Sequence, residues 1–453
     1  MRRRILFRLS VAAVIAATAF TVYWMRPEPL PYTDTLSVAE LVRPTVPAKG
    51  IVFLFSDIGG YTNRDWVAAR KLAASGALVV GIDLRKTLAK AESGEDCVYF
   101  ISDIEKLSQL IQRSVGSEAY MDPMLAGAGG GGSMVLALAG QSPLQTIGRF
   151  IAVDPTGDLP LRRELCSGAP HHKTPDGKGW IYGMQAGALP GQVTVVETPG
   201  ADQAGAAHVS ELIAQGFAID RKMATGEKTD ALTAALETVL AQTAAPADNP
   251  LAGLPLAVLP STARYDTMAI VVSGDGGWRD IDRQVGETLA QAGVPTVGID
   301  SLRYFWTKRS PETIAADLAA IMKHYSKAWN VHRVVLIGYS FGADVLPAAY
   351  NKLPPDVKAR VSLLSLLGLG RWATFEFDVT GWFGMEGDTS HPTLLDVTRI
   401  PPSIVQCIYG ADDDDSVCDQ LAGSGAELIR TAGDHHFDGD YVALANHIIA
   451  RIR

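Results

Sequence analysis

The chain has 453 residues, of which 47% are hydrophobic, and a formal net charge of -9. This length is sufficient for two or three domains with substantial cores. The acidic charge, together with the lack of any lysine or arginine run beyond the N-terminus, excludes nucleic acid as an expected partner.

The chain begins with the pattern of an export segment. Arg2–Arg4 and Arg8 precede an apolar run from Leu9 to Met25, which is close to the lower length limit for a spanning helix. We predict that residues 1–26 are a signal peptide, cleaved near Ala17–Ala19, or an uncleaved anchor in the inner membrane. In both cases the bulk of the chain is expected in a bacterial periplasm.

The rest of the chain contains two copies of one pattern. The run Ile51–Tyr61 resembles the run Met268–Trp278 at an offset of 217 residues. Further on, Met124–Gly131 falls where Leu336–Gly342 stands, with the offset reduced to 211 residues. A modest difference in loop length between two copies of one fold explains the change.

Apolar runs alternate with helical patterns in both copies. The segments 65–75 and 280–292 each predict a helix that ends near a glycine. Such alternation is typical of a mostly parallel sheet covered by helices on both faces. We therefore expect an α/β protein with tandem domains at 45–243 and 263–453, joined by a linker at 244–262.

The glycine-rich segment 127–132 allows two interpretations. It fits the pattern Gly-x-Gly-x-x-Gly of a dinucleotide-binding loop, and Asp154 follows at a suitable distance. A P-loop is excluded because Ser133 occupies the position that requires lysine. The repeat explains the segment without a cofactor, since Gly129 then stands where the second copy has Ser340. We prefer this second interpretation, which predicts a catalytically degenerate first domain and no cofactor.

The segment Gly338–Gly342 carries the strongest catalytic signal in the chain. It fits Gly-x-Ser-x-Gly with Ser340 at its centre, and it follows the strand-like run His332–Ile337. A helical pattern follows the segment. Strand, sharp turn and helix form the context of the nucleophile elbow of α/β-hydrolases, in which the serine hydroxyl projects above the sheet.

A serine nucleophile also requires donors for the oxyanion that forms during acyl transfer. In this architecture one donor is the backbone N–H after the nucleophile, which here is that of Phe341. The other comes from a loop after an early strand, and the glycine-rich loop Ser273–Trp278 is suitably placed. Asp275 or Gly276 is the predicted second donor.

The orienting acid is expected on a loop after a later strand. Ile404–Tyr409 predicts that strand, and Gly410–Asp415 follows with four adjacent carboxylates. Spacing favours Asp413 as the acid, with Asp415 as the alternative. A calcium site is a weaker alternative, because adjacent acids give poor ligand geometry.

The four cysteines are consistent with an oxidising compartment. Cys407 and Cys418 lie 11 residues apart and bracket the acidic loop, which makes them the preferred disulfide. Cys97 and Cys166 pair only by elimination. A disulfide across the acidic loop would hold the orienting acid in place.

The catalytic base is expected near the C-terminus, after a last strand. Glu427–Thr431 predicts that strand, and His435 and His436 follow it. Spacing does not separate the two histidines, although we favour His435. Asp438 and Asp440 leave a metal site as an alternative, but ligands at helical spacing are absent, and no metal is predicted.

Five motifs in the second copy together resemble the AcvB/VirJ family of bacterial virulence proteins. They are the loop Ser273–Trp278, the run Asp300–Trp306, the elbow Gly338–Gly342, the acidic segment Cys407–Asp415 and the ending Gly433–Tyr441. The second half resembles VirJ, and the two-half length resembles AcvB. The resemblance implies a periplasmic α/β-hydrolase that releases lysine and phosphatidylglycerol from lysyl-phosphatidylglycerol. It also implies a link to type IV secretion.

The resemblance carries over Ser340 as nucleophile, Asp413 or Asp415 as acid and His435 or His436 as base. Its implied partners are an aminoacylated phospholipid, the membrane surface and proteins of a secretion system. The competing hypotheses are a scaffold that serves secretion without catalysis and a general carboxylesterase.

An aminoacyl phospholipid has a cationic acyl group, an anionic phosphate and lipid chains, and each predicts a type of contact. Arg303 is the candidate for the phosphate. The acidic candidates for the ammonium groups are Asp275, Glu376 and Asp378. The aromatic candidates for the lipid are Tyr304, Phe305, Trp306, Trp372, Phe375, Phe377 and Trp382, although core packing is the preferred interpretation for any single one of them. Trp278 is a further candidate substrate contact.

Overall fold

The computed structural model describes residues 33–93, 96–242, 251, 253–377 and 391–452. The export segment at 1–26, and with it the choice between signal peptide and anchor, lies outside these residues. None of the described helices is both long and apolar enough to cross a membrane.

Strands and helices alternate along the first half, residues 33–242. The strands are β1 (Val38–Val42), β2 (Gly50–Phe55), β3 (Ala77–Ile82), β4 (Pro123–Ala128), β5 (Arg149–Val153), β6 (His171–Lys173), β7 (Trp180–Tyr182), β8 (Gln192–Glu197) and β9 (Ile219–Met223). The helices are α1 (Asn63–Ala74), α2 (Leu84–Ala91), α3 (Ile101–Ser114), α4 (Gly130–Gln141), α5 (Gln203–Ala214) and α6 (Lys228–Gln242).

The second half, residues 251–452, follows the same plan. Its strands are β10 (Leu256–Leu259), β11 (Thr267–Val272), β12 (Thr296–Ile299), β13 (Arg333–Tyr339), β14 (Val361–Leu367), β15 (Trp372–Ala373), β16 (His391–Pro392), β17 (Val405–Gly410) and β18 (Glu427–Thr431). Its helices are α7 (Asp280–Gln291), α8 (Ser301–Tyr304), α9 (Pro311–Trp329), α10 (Phe341–Lys352), α11 (Pro355–Lys358), α12 (Thr393–Val397) and α13 (Tyr441–Ile452).

The two halves have the same sheet topology. The first sheet has seven strands in the order β1-β3-β2-β4-β5-β8-β9, and the second has the order β10-β12-β11-β13-β14-β17-β18. In each sheet the first edge strand pairs antiparallel and the other strands are parallel. The register also repeats, since Phe55 faces Gly127 as Val272 faces Gly338. The predicted pair of α/β-hydrolase-like sheets is confirmed.

The central strands form because their apolar runs are buried on both faces. Every residue of β2 and of β11 is buried, which is typical of a parallel sheet between two helix layers. The helices at 63–74 and 280–291 follow those strands, close to the predicted 65–75 and 280–292.

The predicted linker 244–262 is shorter at its C-terminal end than expected. Residues 256–259 form β10, which pairs antiparallel with β12 and closes the edge of the second sheet. Apolar residues of β10 pack against the core at that edge. The composition of 244–262, which is rich in proline and alanine, does not indicate this strand. Residues 243–250 and 252 lie outside the described chain.

The two halves share a buried contact. Tyr120 of the first half packs in the core of the second, with its ring centroid 5.1 Å from that of Trp306. The indole Nε1 of Trp306 donates to the backbone oxygen of Ser117, at 2.8 Å. The halves are therefore packed against each other through aromatic side chains as well as through ion pairs.

Candidate active site

Ser340 lies at the turn between β13 and α10 and has φ 51° and ψ -120°. Residues other than glycine rarely adopt this conformation, which is characteristic of a nucleophile elbow. The turn requires glycine at 342, because a Cβ there would lie 2.1 Å from the backbone oxygen of Val272. The strand-turn-helix expected from the sequence is present.

Two side chains meet Ser340 from loops that follow β17 and β18. His435 Nε2 lies 2.8 Å from Ser340 Oγ, and His435 Nδ1 lies 2.9 Å from Asp413 Oδ2. With the ring proton on Nδ1, His435 donates to Asp413 and accepts from the serine hydroxyl. The Asp413 side chain is only 4% exposed, so its bond to His435 is shielded from water.

The surrounding backbone explains why Asp413 rather than Asp415 faces the histidine. Asp415 is exposed on the same loop. The loop is closed by the disulfide Cys407–Cys418, and the N–H of Val417 donates to the backbone oxygen of Leu369. These contacts turn Asp413 inward. Cys97 and Cys166 form the other disulfide, so both predicted pairs are present.

The two histidines have different surroundings. The ring of His435 lies over Gly368, where an added Cβ would approach His435 Cε1 to 2.9 Å. His436 is exposed, and its Nδ1 lies 3.2 Å from the hydroxyl of Tyr339. Asp440 accepts from the N–H of Ala443 and so caps α13. Among the described residues no group of three or more His, Cys, Asp or Glu side chains is arranged to hold a metal.

The first half shows how the equivalent turn binds an anion. Asp57 occupies the position of Gly274, and its Oδ1 accepts from the N–H groups of Ile58 and Gly130, each at 2.8 Å. Its Oδ2 accepts from Lys228 Nζ at 2.6 Å. Partial burial would raise the pKa of Asp57, but these hydrogen bonds lower it overall. A carboxylate of the chain itself thus occupies this anion site.

The N–H groups that bind Asp57 identify their counterparts in the second half. By the repeat offsets, Ile58 corresponds to Asp275 and Gly130 to Phe341. Both are predicted oxyanion donors, and Gly276 has no such counterpart among the groups that bind Asp57. By this correspondence we place the two N–H groups of the second half beside Ser340, and a Cβ on Gly274 would lie 3.7 Å from Ser340 Cβ.

Gly129 has nearly the backbone conformation of Ser340, with φ 60° and ψ -127°. A Cβ at Gly129 would lie 2.6 Å from Asp57 Oδ2, so no side chain fits there. The dinucleotide interpretation also fails, because Asp57 occupies the helix N-terminus where a pyrophosphate would bind. Asp154 is bonded to the N–H and hydroxyl of Thr198, at 2.7 and 2.6 Å, and so is not available to a ribose.

The second half of the chain matches one protein-family model. Residues 266–453 match the family model described as bacterial virulence protein (VirJ). The second half is therefore similar to the VirJ family. Comparison with curated proteins found no match.

Several solved structures resemble about half of the chain. One is Est1E from Butyrivibrio proteoclasticus with bound ferulic acid, at 14% identity, 44% of this chain, 95% of that chain and a TM-score of 0.32. Another is the esterase domain of a Rhodothermus marinus protein, at 14% identity, 44% of this chain, 89% of that chain and a TM-score of 0.28.

The second half places further carboxylates around Ser340. Asp275 is exposed on the glycine-rich loop. Asp344 lies one helical turn after Ser340 and accepts from the N–H of Gly370 at 2.8 Å. Burial raises the pKa of Asp344 well above its usual value, and Asp275 and Asp413 raise it further. Asp344 was not predicted, although its i+4 position on a helix that starts at the elbow was a usable signal.

Three predicted substrate contacts in the second half are wrong, because the side chains are used inside the protein. Trp306 is fully buried between the halves. Trp278 is 3% exposed and packs over Gly298, as Tyr61 packs over Gly81 in the first half. Arg303 pairs with Asp300 at 2.5 Å and with Asp122 of the first half. It is therefore not a free phosphate ligand.

The remaining predicted contacts of the second half differ in exposure. Tyr304 and Phe305 are buried, whereas Trp372 is 42% exposed. Glu376 lies 3.8 Å from Arg113 of the first half, so its charge is partly compensated. Asp378 and Trp382 lie outside the described residues.

Proposed function

We propose that the protein is a periplasmic serine hydrolase that cleaves the aminoacyl ester of lysyl-phosphatidylglycerol, releasing lysine and phosphatidylglycerol. The observation that carries this proposal is the chain of two hydrogen bonds from Ser340 through His435 to Asp413. Such a chain activates a serine hydroxyl for attack on a carbonyl carbon.

Acylation begins when Ser340 Oγ attacks the ester carbonyl while its proton moves to His435 Nε2. Asp413 stabilises the imidazolium that forms, without itself taking the proton. The carbonyl oxygen becomes an oxyanion and accepts from the N–H groups of Asp275 and Phe341. When the tetrahedral intermediate collapses, the ester C–O bond breaks, and the departing glycerol oxygen takes the proton from His435.

Deacylation repeats these steps with water as the nucleophile. His435 takes a proton from the water as it attacks the acyl carbon on Ser340. The oxyanion returns to the same two N–H groups. Collapse of this second intermediate releases the amino acid, and His435 returns the proton to Ser340 Oγ.

The charges around Ser340 favour a cationic acyl group. Burial raises the pKa of Asp344 most, and the nearby carboxylates of Asp275 and Asp413 raise it further. An ammonium group among them would relieve this repulsion and gain charge-assisted hydrogen bonds. The lysyl group of an aminoacyl lipid has two ammonium groups, which suits this environment. The lipid itself is proposed from the resemblance to the AcvB/VirJ family.

The proposed location is the periplasmic face of the inner membrane. Two disulfides are typical of proteins outside the cytoplasm. The apolar segment at 9–25 would keep the enzyme close to its lipid, either before cleavage or as an anchor. We further propose that the first half contacts proteins of a secretion system.

The test is hydrolysis of lysyl-phosphatidylglycerol vesicles by the full-length chain in mild detergent, followed as release of free lysine. The wild-type chain should release lysine, and Ser340→Ala should release none while it stays folded. A matched pair, Asp344→Asn and Asp415→Asn, checks the acyl preference. Only Asp344→Asn should lower kcat/KM for the lysyl ester more than for a neutral acyl ester.

Each alternative function gives a different result in this experiment. A general carboxylesterase would cleave short neutral esters as fast as the lipid. A scaffold would release no lysine from the lipid and would keep its biological effect in Ser340→Ala. Either result would contradict the lipid proposal.

A further inference from the structure

The loop that carries the proposed oxyanion donor is held from its own half, where the N–H of Gly274 donates to Asp282 Oδ1 at 3.3 Å, and also from the first half. This loop, Gly274–Trp278, is closed internally by a bond from the N–H of Gly277 to the oxygen of Gly274, at 3.1 Å. The guanidinium of Arg279 lies against its backbone, because a Cβ on Gly276 would be 2.9 Å from Arg279 Nη2. Arg279 therefore limits where the loop can lie.

Arg279 is in turn bound by the first half. Its Nη1 lies 2.6 Å from Glu105 Oε1 on α3 and 3.4 Å from Thr146 Oγ1. The two charged side chains are mostly buried, with 27% and 16% exposed. A buried pair with such a short contact fixes the arginine more firmly than an exposed pair would.

A second ion pair holds the other side of the loop. Asp300 Oδ1 lies against Gly277, where a Cβ would come within 2.9 Å of it. Asp300 is bound by Arg303, which also pairs with Asp122 of the first half. Arg279, which lies against the loop, and Arg303, which binds Asp300, thus both pair with carboxylates from the first half.

The first half provides an internal comparison, because its equivalent loop is stabilised locally. Thr62 stands at the position of Arg279, and its N–H and hydroxyl both donate to Asp65 Oδ2 at 2.7 Å. Arg279 makes no side-chain cap on α7, although it occupies the N-cap position. Arginine is a poor N-cap residue, so its presence there is explained by the contact with Glu105 rather than by its own helix.

We infer that the catalytically silent first half positions the oxyanion loop of the second half, through Glu105 acting on Arg279 and Asp122 acting on Arg303. The inference rests on the proposed function of Ser340. Glu105 and Asp122 do not touch the substrate. They are positioning residues that act through the arginines on the N–H of Asp275.

The test compares full-length Glu105→Gln with the wild-type chain, using ester hydrolysis and labelling of Ser340 by a fluorophosphonate. The phosphoryl oxygen of the label occupies the same position as the oxyanion, so its rate reports on the loop directly. Removing one oxyanion donor typically costs 10²–10³ in kcat, and a displaced loop loses part of this. Labelling also counts the chains whose Ser340 is reactive, and kcat per labelled serine means kcat divided by that fraction. We therefore expect kcat per labelled serine to fall about tenfold and KM to change less than twofold.

Two controls separate positioning from general stability. Glu227→Gln removes an ion pair with Arg64 within the first half and should change neither rate. The charge swap Glu105→Arg with Arg279→Glu should restore most of the lost kcat, and Asp122→Asn should give a loss of the same kind as Glu105→Gln. A purely structural role would lower the melting temperature and the fraction of labelled protein, with kcat per labelled serine unchanged.

The outcomes also distinguish this inference from the proposed function. If wild-type Ser340 is neither labelled nor active on esters, the proposed function and the inference both fail. If the wild-type chain is active and Glu105→Gln has the same kcat per labelled serine, only the inference is overturned.

Discussion

The two elbows of the chain have nearly the same backbone and opposite contents. In the second half Ser340 stands beside two N–H groups, with Gly274 opposite. In the first half Gly129 replaces the serine, and Asp57 replaces Gly274 and places its carboxylate on the equivalent N–H groups. The two differences depend on each other, because a side chain at position 129 would collide with Asp57. The first half therefore keeps the anion-binding geometry of the fold without a nucleophile, and the carboxylate of Asp57 stabilises that geometry.

The largest effect is expected when the second elbow is made like the first. Ser340→Gly removes the nucleophile but keeps a residue that tolerates positive φ. We expect kcat for ester hydrolysis to fall by about 10⁵–10⁶, with the fold retained. Steady-state kinetics and near-UV circular dichroism measure the two parts of this prediction. Residual activity above about one per cent of wild type would contradict Ser340 as the nucleophile.

The next effect separates the two candidate acids. Asp413→Asn should lower kcat by about 10⁴, because an amide favours the wrong tautomer of His435. Asp415→Asn is the matched control on the same loop and should change kcat less than twofold, since its side chain is exposed. Equal losses in the two variants would show that the loop adopts another arrangement in solution.

A third variant copies the Asp57 carboxylate of the first half into the second half. Gly274→Asp would bring a carboxylate towards the N–H groups of Asp275 and Phe341 and so compete with the oxyanion. We expect a loss of about 10³ in kcat/KM, similar to the loss of an oxyanion donor. Gly274→Ala is the control and should lose much less, because its Cβ would contact the Tyr339 ring at 3.1 Å without adding charge. Similar losses would mean that crowding, rather than the carboxylate, blocks the site.

The smallest effect is on stability and concerns Asp57 itself. The pKa of Asp57 is lowered in the folded chain from its ordinary 3.8, so its ionised form stabilises the fold above that pH. This contribution is lost as pH falls through the lowered value. Asp57→Asn should therefore melt about 1–3 °C below wild type at pH 7, since the pair is half-exposed and screened. The difference should shrink below about pH 4, whereas a constant difference would point to packing alone.

The fold and most of the triad could be predicted from the sequence because both rest on local patterns. Buried strands appear as apolar runs, and the elbow at Ser340 appears as glycines at fixed spacing. The choice of Asp413 over Asp415 could not be derived in this way. It depends on how Cys418 and Val417 anchor the loop to β17 and to Leu369.

Two of the three wrong substrate contacts share one cause, which is the contact between the halves. Arg303 and Trp306 looked like ligands for a phosphate and a lipid because arginine and tryptophan often have these roles on a surface. Their partners, Asp122 and Ser117, lie more than 180 residues earlier in the chain. Nothing local to Arg303 or Trp306 indicates that a second domain covers them.

The position of Tyr120 has a consequence for how the molecule melts. Its ring belongs to the first half by connectivity but to the second half's core by packing. Opening either sheet would expose this ring and the indole of Trp306 to water, so neither half can be lost alone without a cost in the other. We therefore expect one calorimetric transition whose van't Hoff and calorimetric enthalpies agree, although the chain contains two complete sheets.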